Sequence, residues 1–259
     1  LIGVTIVSGT NERLSVLGGG PIVFARWMIV GVIMLFFIRK NNNKINWIFI
    51  FLFIVLALAA GSRGPIFALF FTFFIYVILT FQKTIIKVLS VLLILFSFFY
   101  FSGVFNEVLD LGKTDRLVTK DNTSKNVRIE FAKRSIETIT HYPFGVGIGN
   151  WNVYCNKLRP YHLLWHEYPH NLILEVFAEM GFFAGFLLLL LLLNSLYFTY
   201  SRMIKFRSYE SSLYPVLFYL QIFLIINSLF SGDLGDSRLL FVVIAISLIH
   251  KPLVIRNDK

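Results

Sequence analysis

Cysteine and charged side chains are both scarce in this 259-residue chain. The single cysteine, Cys155, has no partner for an internal disulfide, which predicts an inert loop thiol. Only 15% of the residues are charged while 57% are hydrophobic, which excludes an ordinary soluble domain. Zinc-type Cys/His spacing is absent, and Asp233 and Asp236 do not form a paired acidic motif, so we expect neither a metal ion nor a cofactor.

Long apolar runs divide the chain into seven predicted membrane-spanning helices. Runs such as 48–60 and 182–193 carry no charge, and a bilayer core needs roughly 20 apolar residues per helix. Strands of an outer-membrane barrel would instead alternate polar and apolar residues, so the pattern predicts an all-α integral membrane bundle. The predicted spans are 21–38, 45–61, 65–81, 85–105, 171–200, 213–231 and 238–250.

The predicted spans form two membrane units separated by one large hydrophilic segment. Residues 1–105 hold three to four spans, and residues 171–259 hold about three. The intervening segment, 106–170, is too long for a plain connector and is expected to carry function. Because the chain begins at Leu1 with an apolar stretch over 1–7, we expect an N-terminally truncated fragment of a longer protein.

Positive charge is concentrated in alternate loops. Because Lys and Arg near helix ends stay on the cytoplasmic side, these loops predict the cytoplasmic face, and 106–170 then lies outside the cell. Their eleven basic and two acidic residues account for nearly all of the net charge of +10, so the basicity does not indicate nucleic-acid binding. The basic residues are Arg39, Lys40, Lys44, Lys83, Lys87, Arg202, Lys205, Arg207, Lys251, Arg256 and Lys259.

The outer segment contains a predicted amphipathic helix from Ser124, a plausible N-cap, to about Thr140. Its apolar stripe predicts that Arg128 points toward the membrane bundle and that Arg134 faces water. The stripe consists of Ile129, Ala132, Ile136 and Ile139.

Two arginines lie where a phosphate group could meet the membrane. Arg63 occupies a two-glycine turn between two apolar runs, and its planar guanidinium matches phosphate oxygens bidentately. An interfacial arginine snorkelling to lipid headgroups is an equally good interpretation. Arg26, near the start of the first span, is a further phosphate or headgroup candidate, with snorkelling favoured.

Two histidines precede the fifth span. His166 and His170 have the right chemistry to take a proton from an acceptor hydroxyl, although a lone histidine at a helix start more often serves as a cap. Glu175 and Glu179 follow one helical turn apart, on a face roughly opposite His170. We therefore expect ion pairs inside the bundle for both carboxylates rather than a His–Glu dyad.

Three alternating glycines precede this region, at 145, 147 and 149. No strand or βαβ context surrounds them, so a phosphate-binding loop is not indicated. The stretch from Pro143 to Trp151 is predicted to be a tight turn that guides the chain back to the bundle.

Four motifs follow one another along the chain. They are Gly61-Ser62-Arg63-Gly64-Pro65, the loop helix with Arg128, the turn Tyr142-Pro143-Phe144-Gly145-Val146-Gly147-Ile148-Gly149, and Pro169-His170-Asn171 followed by Leu174-Glu175 and Glu179-Met180-Gly181. Their order around one large outer loop resembles the O-antigen ligase and polymerase superfamily of bacterial envelopes. The resemblance covers about residues 55–250.

The resemblance implies a helical bundle of the GT-C type in the bacterial cytoplasmic membrane. It further implies transfer of a glycan from undecaprenyl pyrophosphate to an acceptor glycan or glycolipid on the extracytoplasmic side, without a metal. Carried over by motif, Arg63 and Arg128 would bind the pyrophosphate, and His170 would activate or orient the acceptor. His166 matches the pattern less clearly and is a secondary candidate.

Other functions remain open at this level. Whether the acceptor is a lipid core, another glycan chain or a protein is undecided, so ligase and polymerase activities both fit. A transporter or flippase would also place polar residues in a helical bundle, although no inverted repeat is present. A noncatalytic envelope scaffold would leave the arginines and histidine without a role.

Overall fold

A computed structural model describes residues 20–38, 44–80, 121–158, 167–206 and 213–249. Within these ranges the chain forms eight α-helices and no strand. The helices are α1 (Pro21–Phe37), α2 (Lys44–Ala59), α3 (Arg63–Thr80), α4 (Asp121–His141), α5 (Trp151–Leu158), α6 (Leu172–Lys205), α7 (Tyr214–Phe230) and α8 (Arg238–Ile249).

Six of the seven predicted spans coincide with apolar helices, namely α1, α2, α3, α6, α7 and α8. The remaining predicted span, 85–105, lies outside the described residues. By length and composition, α3 and α6 can cross a membrane, whereas the other four are shorter, at 12 to 17 residues. The described part of the chain is therefore all-helical and includes two candidate membrane-spanning helices.

Helix α7 is the centre of the bundle. It packs against α1, α3, α6 and α8, and its buried side chains lie around its whole circumference. A helix that is apolar on every side is expected to be enclosed in this way. Its C-terminal end contacts Asn171, at the start of α6, and the first turn of α3.

A few polar side chains connect α6, α7 and α8 inside the bundle. Gln221 Nε2 donates hydrogen bonds to Ser247 Oγ at 2.6 Å and to Thr199 Oγ1 at 3.2 Å. Arg202 Nη1 donates to the hydroxyl of Tyr214 at 3.1 Å. Interhelical hydrogen bonds of this kind hold helices together where lipid removes the hydrophobic driving force.

Helices α4 and α5 form a smaller unit on the first half of α6. Phe131, Ile139, Trp151, Cys155 and Ala178 make up its apolar core. The predicted loop helix is thus confirmed, but it begins at Asp121, so that the residue predicted as its N-cap lies inside the helix.

The face of α4 that packs inward differs from the predicted one. Ile129 and Ile136 of the predicted stripe are exposed, and so is Arg128. Arg134, predicted to face water, is only 5% exposed. Its Nε donates a hydrogen bond to Glu130 Oε1 at 3.0 Å, which forms an ion pair. The predicted orientation of the two arginines is therefore wrong.

The polar residues of α4 are buried because α5 provides partners for them. Trp151 Nε1 donates to Ser135 Oγ at 2.9 Å, and the Thr138 hydroxyl lies 3.2 Å from Cys155 Sγ. Buried polar groups are tolerated when they are hydrogen-bonded. Hydrophobicity counted along α4 alone cannot reveal this, since the partners belong to another helix.

The predicted turn between Pro143 and Trp151 is confirmed, and it is fixed to α6 by backbone hydrogen bonds. Val146 N donates to Ala178 O at 3.0 Å, and Gly147 N donates to Glu179 O at 2.8 Å. These carbonyl groups need partners from outside the helix because α6 is interrupted just beyond them.

The interruption of α6 occurs at Gly181, whose φ of 85° and ψ of 175° are not helical. After the break, Phe182 N donates to Pro143 O at 2.9 Å instead of to a carbonyl of its own helix. A Cβ at Gly181 would come within 3 Å of backbone atoms of Phe144, so only glycine allows this approach. The turn therefore supplies the hydrogen bonds that the broken helix lacks.

The carboxylate of Glu179 strengthens the same junction. It accepts hydrogen bonds from Gly149 N at 2.8 Å and from Trp151 N at 3.2 Å, at the start of α5. An acidic group at a helix N-terminus is favourable because the first N–H groups of a helix lack partners. The structure thus gives Glu179 backbone partners where the sequence favoured an ion pair.

Two glycine substitutions test the docking of the turn. Gly145→Ala should destabilise the protein more than Gly149→Ala, although both residues have positive φ (87° and 75°). A Cβ at Gly145 would lie 2.6 Å from the backbone N of Gly181, whereas a Cβ at Gly149 meets nothing within 4 Å. We expect about 1–2 kcal/mol of backbone strain in both variants and about 1–3 kcal/mol more in Gly145→Ala from the collision.

Thermal unfolding of the two purified variants in the same detergent gives the comparison. The midpoint for Gly145→Ala should fall below that for Gly149→Ala. Equal midpoints would show that the turn does not depend on its close contact with α6.

Candidate active site

His170 lies at the end of the bundle where α6 begins. The next residue, Asn171, caps α6 by accepting a hydrogen bond from Leu174 N at 3.1 Å. Its Nδ2 donates to Leu229 O in the last turn of α7, also at 3.1 Å. His170 is therefore held beside the C-terminal end of the central helix.

Arg63 lies at the same end of the bundle, on the α3 side. It is the first residue of α3 and is exposed. A Cβ added to the neighbouring Gly64 would lie 3.8 Å from Cβ of Phe230, and the Phe67 and Phe230 rings are 5.2 Å apart. The last turn of α7 therefore contacts both the segment that carries Arg63 and the segment that carries His170.

Two aromatic rings lie next to the imidazole of His170. The Phe131 ring is parallel to it within 2°, with centroids 6.0 Å apart, and the Tyr168 ring is 4.1 Å away. The backbone of His170 has a positive φ of 56°, which is unusual for a residue with a side chain and often marks a functional position. Its Nδ1 is buried and has no hydrogen-bond partner among the described residues.

Arg128 is close enough to act on the charge of His170. Burial, followed by the Arg128 guanidinium, lowers the pKa of His170, while Glu167 and Asp233 oppose the shift. Arg128 precedes Phe131 by three residues on α4 and so lies on the neighbouring part of the helix surface. The exposed guanidinium thus lies near the imidazole although it does not point into the bundle.

The guanidinium of Arg26 binds the loop between α7 and α8. It is only 6% exposed, its Nη1 donates to Asp236 O at 2.9 Å, and its Nη2 lies 3.5 Å from both Ser231 O and Asp236 Oδ2. The snorkelling favoured by the sequence is therefore wrong for this residue. The contacts fasten α1 to the loop that follows the end of α7.

The same loop approaches the histidine segment from another side. Leu234 N donates to a carboxylate oxygen of Glu175 at 3.1 Å, which replaces the predicted ion pair. Burial and the carboxylates of Asp236 and Asp233 raise the pKa of Tyr168 to about 12, and Arg26 lowers it. Tyr168 is therefore a neutral hydroxyl at physiological pH, placed between His170 and the acidic loop.

The structure brings together some of the predicted site residues. Arg128 and His170 are electrostatic neighbours, Arg63 shares their end of the bundle, and Arg26 fastens the adjacent loop. His166 lies outside the described residues. No group of three or more metal-ligating side chains occurs in the ranges that the structure describes.

Two aromatic residues of the site were not predicted. Phe131 and Tyr168 position the imidazole, yet their roles depend on contacts between separate segments. Tyr168 carried a weak signal, since it directly precedes the Pro-His-Asn motif. Phe131 carried none, because it lies off the isoleucine stripe of α4.

Comparison with known protein families gives a match that covers three of the predicted site residues. Residues 47–190 match the model of the O-antigen ligase family, and this range exceeds half of the chain and includes Arg63, Arg128 and His170. No curated protein matches the chain at a significant level. The resemblance found in the motifs is confirmed, and the chain belongs to the O-antigen ligase family.

Proposed function

We propose that this protein transfers a glycan from undecaprenyl pyrophosphate to a hydroxyl group of an acceptor glycan or glycolipid. The observation that carries the proposal is the contact of Phe131, three residues after Arg128 on α4, with the His170 imidazole, at the end of the bundle where α3 begins with Arg63. Membership of the O-antigen ligase family supports the same reaction class.

The reaction separates into two electrostatic tasks. The acceptor oxygen forms a bond to the anomeric carbon as the bond from that carbon to the pyrophosphate oxygen breaks. The leaving lipid pyrophosphate gains negative charge, which Arg63 and Arg128 stabilise through bidentate hydrogen bonds. The two guanidinium charges take the part that a magnesium ion plays in other phosphate-releasing enzymes, so the reaction needs no metal.

His170 is the group that takes the proton from the acceptor hydroxyl. Its lowered pKa keeps the imidazole neutral at physiological pH, and only the neutral form can act as a base. The stacking on Phe131 fixes the ring, and Tyr168 provides a second polar contact for the sugar. His166, four residues earlier in the chain, is a secondary candidate for binding the acceptor.

The role of Arg26 and the membrane orientation of the bundle complete the proposal. Arg26 was a candidate for binding substrate, and we now assign it to holding the acidic loop beside Tyr168, because its guanidinium already binds that loop. The basic loops predict that this end of a multi-span GT-C bundle faces the outside of the cytoplasmic membrane. That orientation matches a reaction on a glycan already moved across the membrane.

Alanine variants of the three central residues test the proposal. The protein is reconstituted in liposomes with a lipid-pyrophosphate glycan and an acceptor glycolipid, and product formation is measured by gel shift. We expect His170→Ala to lose roughly 10²–10⁴-fold in rate as a base is removed. Arg63→Ala and Arg128→Ala should each lose roughly 10²–10³-fold, as for the removal of a donor that stabilises developing charge.

Arg238→Ala is the matched control. Arg238 is an exposed arginine at the start of α8, at the same end of the bundle, and its Nε donates to Gly235 O. This variant should keep near-normal activity. Normal product formation by all three central variants would reject the assignment, and movement of the lipid carrier across the liposome without transfer would indicate a flippase instead.

The pH profile tests the role of His170 separately. Because burial and Arg128 lower its pKa, transfer should persist below the ordinary histidine pKa of about 6.5 and fall only when the imidazole becomes protonated. The part of the pH profile where the rate falls toward low pH is the acid limb. Arg128→Gln removes a positive charge and should move the acid limb to higher pH. Glu167→Gln removes a negative charge that raises the pKa, so its limb should move to lower pH.

The measurement is the rate at limiting donor concentration between pH 4.5 and 8, roughly spanning the range of histidine titration. Residual activity suffices, because only the position of the limb is compared. An acid limb that stays in place in both variants would show that another group controls the profile.

A further inference from the structure

The turn that docks on α6 presents large apolar side chains to the outside. Phe144 is 95% exposed and Ile148 is 69% exposed. Both belong to a turn whose backbone is held firmly by α6, so their exposure is not the result of a loose chain end. Leaving a phenylalanine in water forfeits about 1.5–3 kcal/mol relative to burying it, so such a position calls for an apolar partner.

The turn continues an apolar surface of α6. Phe182 and Phe183 begin the second part of that helix, and both are exposed, Phe183 to 79%. The hydrogen bond from Phe182 N to Pro143 O places Phe144 directly beside them. Together, Phe144, Ile148, Phe182 and Phe183 form an exposed apolar patch.

The length of α6 shows where the patch lies relative to a bilayer. From Phe182 the helix is apolar up to Asn194, and its first cationic residue is Arg202. About 20 residues separate Phe182 from Arg202, and a helix of that length rises about 30 Å, the thickness of the hydrocarbon core. With Arg202 and Lys205 at one boundary of the hydrocarbon core, the apolar patch lies at the other boundary.

Tyrosine and lysine side chains border the turn. The rings of Tyr142 and Tyr154 contact each other edge to face, with centroids 4.9 Å apart. Lys157 Nζ lies 4.2 Å from the centre of the Tyr154 ring. Tyrosines concentrate at the level of lipid headgroups, and a lysine there is attracted to anionic lipids.

We propose that the turn between Pro143 and Asn150 is a membrane anchor, which inserts Phe144 and Ile148 into the lipid at the headgroup–acyl boundary. The surface of α6 that faces lipid is continuous with the turn, so the occupant is the bilayer. The anchor sets the height of the unit formed by α4 and α5 above the membrane, and Arg128 moves with that unit. The proposal depends on the membrane position of α6 and not on glycan transfer.

Spin labels at single cysteines measure the depth of the turn. Phe144→Cys and, independently, Ile148→Cys are labelled with a nitroxide and reconstituted in vesicles of phosphatidylethanolamine and phosphatidylglycerol. The native Cys155 is buried, and burial raises the pKa of its thiol to about 11, so it should not react at neutral pH. The unmutated protein checks this background.

Lys133→Cys is the control, because Lys133 is an exposed residue on the outward face of α4. Collision rates with oxygen, which concentrates in lipid, are compared with those of a water-soluble nickel chelate. The labels at 144 and 148 should lie roughly 5–10 Å below the headgroup–acyl boundary, as for other interfacial apolar groups. The label at 133 should show the collision ratio of water.

A water-like ratio at both 144 and 148 would overturn the proposal. So would spectral broadening between labels that grows with the ratio of protein to lipid, since it would mean that a second copy of the chain covers the patch. The depth measurement needs no donor or acceptor, so its failure is distinguishable from a failure of the transferase assay.

Discussion

The break in α6 at Gly181 is the constraint on which the rest of the arrangement depends. A helix interrupted in this way leaves backbone groups without partners, and lipid cannot supply them. Here the turn after α4 supplies them, through the bonds of Val146 and Gly147 to the carbonyl groups before the break and the bond of Phe182 to Pro143. The glycines at 145 and 181 permit the close approach. The requirement for backbone hydrogen bonds thus fixes a hydrophilic unit onto a membrane helix.

This attachment explains how a residue from the middle of the long hydrophilic segment reaches the site. Once the turn is fixed to α6, α4 lies against the first half of that helix, and Phe131 stacks on His170 at the beginning of the same helix. Arg128 is then close enough to lower the histidine pKa. The end of α7 contacts both the segment of His170 and the start of α3, which carries Arg63. The loop that follows the end of α7 is held by Arg26.

The length of the apolar runs predicted most of the helices, because a helix that faces lipid must be built from apolar residues. Six predicted spans match helices, and the turn at the three glycines follows from their position between two helical segments. The orientation of α4 could not be predicted in the same way. Its inward face contains Ser135 and Thr138, whose burial is stabilised by Trp151 and Cys155 of α5. Pairings between distant segments, which also explain Phe131 and Tyr168, are not visible in helical periodicity.

We propose that two guanidinium groups and one imidazole, far apart in the chain, meet at one donor site. The most direct measurement is a structure in lipid nanodiscs with a non-transferable phosphonate analogue of the lipid-pyrophosphate donor. We predict hydrogen bonds of about 2.7–2.9 Å from Arg63 and Arg128 to the phosphate oxygens, with His170 facing the anomeric carbon from the acceptor side. An analogue bound at this end of the bundle without either arginine, or at the end near Arg202, would contradict the account.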